Sequence, residues 1–207
     1  MTSDSVSSVR KNVLLLAACQ ALFMTGTSAI ITTAPHIGGV LLAENKALVT
    51  LPLCLQFVAM AITTIPASLY MGRVGRRVGF ITGSLVGAVG AGIGAYSVIS
   101  GSFALFCVSA MLTGSFNGFS HYFRFAAADA SPLEFRSRAI SYVLAGSVVA
   151  AFLGPTLARH TFDLLPVQYA GVYLALILVY LLVGCVASFL DIPRPTIASR
   201  RSGGRPL

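Results

Sequence analysis

Asn117, His121 and Arg124 recur at i, i+4 and i+7, so they share one face of a helix. An amide, an imidazole and a guanidinium on one face can hold an anionic or hydrogen-bonding solute, and the imidazole can exchange a proton near neutral pH. Gln20 and Gln56 stand in other apolar runs, each with an amide that a single helix satisfies poorly. Their neighbours Thr25, Thr27, Ser28, Thr32, Thr33, Thr63 and Thr64 are weaker candidates, because hydroxyls in apolar helices more often bond their own backbone or an adjacent helix. Arg124 lies about 13 Å along the axis from Ser115, the centre of its apolar run, and from there it can also snorkel to lipid headgroups.

Covalent chemistry has no comparable support. His36, His121 and His160 are scattered, and the chain contains neither an H-E-x-x-H zinc motif nor a phosphate-binding G-x-x-x-x-G-K-[ST] loop. Cys19, Cys54, Cys107 and Cys185 fall in four separate apolar runs without metal-binding spacing. The expectation is a protein that is not an enzyme and has no catalytic residue, metal or cofactor. Arg10-Lys11 before Val13–Ala18 and Cys19 also resembles a lipoprotein signal, but that apolar stretch is too short and continues past the cysteine.

The elements that carry these residues follow from charge spacing. Of 207 residues, 56% are hydrophobic and 10% charged, against about 25% charged in soluble domains. No Asp, Glu, Lys or Arg occurs between Arg77 and Arg124, or between Arg138 and Arg159. Each gap is long enough for a helix of about 20 residues to cross a bilayer. The reading is an all-α integral membrane protein with six transmembrane helices, near 13–34, 49–71, 78–99, 103–127, 139–157 and 167–190. Residues 1–12 form a polar tail and 191–207 a second one. Pro35, His36 and Gly38-Gly39 are expected to end the first span. In the third, Gly79, Gly83, Gly87, Gly90 and Gly94 allow another backbone to come close.

The net charge of +8 marks a membrane face and not a nucleic-acid partner. One side collects Arg10, Lys11, Arg73, Arg76, Arg77, Arg136, Arg138, Arg194, Arg200, Arg201 and Arg205; the other holds Lys46 and Arg159. Both termini are therefore expected in the cytoplasm, in a plasma membrane of the bacterial inner-membrane type. An even number of spans is required, in agreement with six.

The loop after the second span is the most specific local motif. Ser68-Leu69-Tyr70-Met71-Gly72-Arg73-Val74-Gly75-Arg76-Arg77 resembles the signature between helices two and three of the major facilitator superfamily, G-x-x-x-D-[RK]-x-G-[RK]-[RK]. Arg73, Gly75, Arg76 and Arg77 match, while Ser68 replaces the glycine and Gly72 the aspartate. Asp129 to Arg138 looks like the family's connection between helices four and five, and Gly154-Pro155 sits where its antiporter branch has a Gly-Pro pair. The resemblance implies half of a twelve-helix fold, built from two three-helix inverted repeats, and transport of a small solute by alternating access. Spans one and four would contact the solute.

Electrostatics offers a substitute for the missing aspartate. Asp129 ends a helix where the dipole disfavours an anion, and Arg136 and Arg138 begin one where it disfavours cations. Pairing of Asp129 and Glu134 with these arginines, or with Arg73 or Arg76, would make both placements tolerable and could clamp the cytoplasmic side shut. Two hundred and seven residues suffice for six spans, about half of what the resembled transporters use. The expected partners are membrane lipid, a small-molecule solute and a second six-helix half, either a second copy or a separate chain. The alternative is a truncated, non-transporting membrane protein that acts only as an interaction or remnant subunit.

Overall fold

A computed structural model describes residues 3–42 and 46–191. Among the described residues every regular element is helical: α1 (Ser3–Leu42), α2 (Leu51–Val74), α3 (Arg76–Ser100), α4 (Phe103–Ser120), α5 (Phe123–Asp129), α6 (Arg136–Thr161) and α7 (Ala170–Ser188). Six segments are long and apolar enough to cross a membrane, with α4 and α5 together forming the fourth. Helices are what lipid permits, because only they satisfy every backbone polar group within one segment. The second tail, with Arg194, Arg200, Arg201 and Arg205, lies outside the described residues.

The helix ends depart from the sequence reading in physical ways. α1 does not stop at Pro35 but runs on to Leu42. A proline removes one backbone hydrogen bond, yet Ala34 and Ile37 on either side are buried, and Gly38 brings the helix against the Val49 carbonyl. Tertiary packing thus outweighs the local break. At its other end α1 begins well before Val13. Asn12 is tied there to the end of the sixth span: its Nδ2 donates to the Asp191 carbonyl (2.8 Å) and its Oδ1 accepts from the Asp191 amide (3.2 Å). The fourth span is interrupted by a turn at His121-Tyr122. Between α6 and α7 the chain folds back through Tyr169, whose φ of 66° is left-handed.

Packing follows a two-fold logic. The first span packs on the fifth as the fourth packs on the second; the third packs on the fourth as the sixth does on the first; the third and sixth pack on each other. Exchanging spans one, two and three for four, five and six reproduces this pattern, as an inverted repeat requires. The third-span glycines mostly make room for side chains, and only Gly90 has another helix's backbone close by, the Thr113 amide at 3.1 Å. A Cβ at Gly83 or Gly87 would sit 2.7 Å from Phe119 or Phe116, and at Gly90 2.8 Å from Leu112, all on α4. The second and fifth spans are the edges, with 17% of their apolar windows buried against 44–56% for the rest.

Candidate functional site

Three spans converge on a polar seam midway along the fourth span, at the C-terminal end of α4. Gly114 and Gly118, one turn apart, bring α2 against α4. A Cβ on Gly114 would collide with the Gln56 carbonyl, and one on Gly118 would lie 3.1 Å from the Met60 carbonyl and 3.2 Å from the Thr64 amide. Across this contact Thr63 Oγ1 donates to Ser115 Oγ (3.2 Å). On the other side of α4, Thr27 Oγ1 of α1 lies 3.5 Å from Asn117 Oδ1. One turn on, His121 Nε2 is 3.1 Å from the Met60 sulfur, and Phe23 presents its edge to the imidazole at 6.2 Å between centroids. The seam thus gathers hydroxyls, an amide, an imidazole and an aromatic ring, with no carboxylate among them. It can hydrogen-bond and stack against a heterocycle. Thr27, Thr63 and Ser115 take a larger part than their residue types suggested; the Gly114/Gly118 spacing was the readable signal for the α2 contact.

The other candidates sit elsewhere. Gln20 is buried and donates through Nε2 to Ser147 Oγ of α6 (3.0 Å), so its amide links the first and fifth spans. Gln56 is 1% exposed on the α2 face that meets α4, and its Oε1 has no hydrogen-bond partner among the described residues. Arg124 turns outward beyond the His121-Tyr122 turn and lies 5.0 Å over the ring of its neighbour Phe125. The structure brings Asn117 and His121 together and leaves Arg124 apart.

The basic end of the bundle has its own geometry. Gly75 joins α2 to α3 at φ 96° and ψ 157°, a region essentially restricted to glycine. Its amide still donates to the Met71 carbonyl (2.9 Å), so the chain reverses within a single residue. Gly75→Ala is expected to cost about 1–3 kcal/mol and to lower the thermal midpoint by several degrees in detergent. Arg77→Ala should leave that midpoint in place. Asp129 finds a single cation among the described residues, Arg76 (2.6 Å), whose guanidinium also lies 5.7 Å from the Tyr122 ring centroid. Tyr122 in turn donates to the Thr64 carbonyl of α2 (3.0 Å). Arg73, Arg77, Glu134, Arg136 and Arg138 form no ion pair among the described residues; Arg136 Nε reaches the Ser131 carbonyl at 3.4 Å. Gly154 seats α6 on α1, its Cβ position 2.8 Å from the Thr25 carbonyl, while Pro155 is exposed and leaves α6 unbroken.

The sequence pattern that defines the Major Facilitator Superfamily matches residues 16–206. The chain belongs to the major facilitator superfamily. This makes it an integral membrane protein of a transporter family and not an enzyme. It is 34% identical over 204 residues to a protein named riboflavin transporter RfnT from Brucella anthropi, an alignment covering 97% of this chain and 51% of that protein. The chain therefore spans about half the length of this relative. The Arg-x-Gly-Arg-Arg stretch lies at the α2–α3 turn at Gly75, and Asp129, at the end of the fourth span, pairs with its Arg76.

Proposed function

We propose that this chain is one half of an alternating-access transporter for riboflavin or a closely similar planar heterocycle. In this reading it lies in a plasma membrane with both termini cytoplasmic. The identity to a protein named as a riboflavin transporter, along nearly the whole chain, carries the reading. The seam chemistry supports it: Asn117, Thr27, Thr63 and Ser115 suit the carbonyls and ring nitrogens of an uncharged heterocycle, and Phe23 and His121 suit its faces. A second six-helix half faces this one, and the two rock about the solute. Arg76 and Asp129 then hold the cytoplasmic side closed.

The test is riboflavin flux into proteoliposomes that contain this chain, together with quenching of riboflavin fluorescence on binding. Saturable binding and flux are expected. Absence of both, under proton and sodium gradients alike, sinks the reading and leaves a membrane subunit that does not transport.

The closing pair has a separate test. Asp129 is 54% exposed, so its bond to Arg76 adds under about 1 kcal/mol to stability. Asp129→Arg should leave the thermal midpoint almost unchanged yet lower flux several-fold, because it sets two cations together at the gate. Adding Arg76→Asp should restore the flux. Failure of that rescue rules out the pair as a gate.

A further inference from the structure

We propose that the basic end of α1 and α6 forms a binding site for one anionic phospholipid, held by Arg10 and Arg138. Gly146, where a Cβ would lie 2.7 Å from the Ala17 carbonyl, keeps the two helices in close contact deeper in the bundle. Bulky side chains replace glycine toward the basic end. There a cavity of about 370 Å³ opens, lined by Arg10, Val13, Leu14, Phe135, Arg138 and Tyr142. Both arginines are exposed, and among the described residues neither is paired with a carboxylate. Two arginines lining one cavity with Val13, Leu14, Phe135 and Tyr142 match a phosphodiester, which can accept charge-assisted hydrogen bonds from both.

The chemistry below the mouth selects a lipid over a free anion. Arg138, Tyr142, Ala145, Val149 and Phe152 follow one another along one face of α6, and all are exposed. An acyl chain attached to the bound phosphate has an apolar track to lie on, and it covers Leu14, 69% exposed, and Tyr142, 56% exposed. The site shares no residue with the polar seam or with the Arg76–Asp129 pair, so it stands whether or not the chain carries riboflavin.

Native mass spectrometry of the purified full chain, titrated with phosphatidylglycerol and, separately, phosphatidylcholine, tests the assignment. The expected result is one retained phosphatidylglycerol and weaker retention of phosphatidylcholine. Arg10→Gln with Arg138→Gln should weaken phosphatidylglycerol binding by about tenfold or more, as loss of charged hydrogen bonds implies. Lys11→Gln with Arg77→Gln removes the same charge from the same end and should keep the lipid. Equal loss in that pair would reduce the effect to diffuse positive charge and overturn the site. Equal retention of the two lipids would also overturn it, as would full displacement by inorganic phosphate. A dimer that the Arg10/Arg138 variant dissolves would give the cavity to a second copy instead. If the double variant does not fold, Arg138→Gln alone must still weaken binding for the site to stand.

Discussion

Gly114→Val is expected to strip the protein of most of its folded yield. The new Cβ falls on the Gln56 carbonyl, a backbone atom of a neighbouring span that cannot rotate away. The α2–α4 contact must therefore open. Overpacking of this kind costs about 3 kcal/mol, and more where backbone is involved. At about 2–4 °C per kcal/mol for a chain of this size, the thermal midpoint should fall by roughly 6–12 °C. Gly39→Ala is the matched control, because nothing lies within 4 Å of its Cβ position and alanine favours the helix. Thermal denaturation in detergent, followed by tryptophan-independent aggregation, measures both. An unchanged midpoint for Gly114→Val would mean that α2 and α4 do not meet as described.

Asn117→Ala is expected to act on solute and to spare the fold. The side chain is 2% exposed, and its contact from Thr27 is long at 3.5 Å, so the truncation forfeits little hydrogen-bond energy between α1 and α4. Left to the solute, the same amide supplies a hydrogen bond in a buried site, where losing it costs about 1–3 kcal/mol. Riboflavin binding by fluorescence quenching should weaken at least about tenfold, the equivalent of 1.4 kcal/mol. The thermal midpoint should move little. Gln20→Leu provides the contrast: it strands Ser147 in the α1–α6 contact and should lower stability without weakening binding. A reversed pattern, with Gln20 governing binding and Asn117 only stability, would move the solute site to the α1–α6 seam.

Much of the architecture was legible because the relevant forces are local. Five long charge-free stretches, the longest holding two spans, the glycines of the third span and the reversal at Gly75 all follow from residues close in sequence. The pairing of Asp129 with an arginine of the second-to-third loop was also legible, since a carboxylate at that helix end needs a cation. Its partner among several arginines was not. Arg76 takes that place because it opens α3 beside Tyr122, whereas Arg73 closes α2. The polar candidates divide in the same way. Asn117, His121 and Arg124 share a periodicity, but the turn at His121-Tyr122 and the outward course of Arg124 separate the third from the first two.

Hydropathy and charge determined the number of spans, and the motif at Arg73 to Arg77 pointed to the family. In lipid each helix must satisfy its own backbone, so segments can be read one at a time. The tertiary structure alone decided which faces meet. Gln20 with Ser147, Thr27 with Asn117 and Asn12 with Asp191 join residues 127, 90 and 179 positions apart. It also carried α1 through Pro35 and opened the Arg10–Arg138 cavity. Those outcomes depend on how closely small residues let two helices approach, a property of pairs of segments that no single stretch of sequence contains.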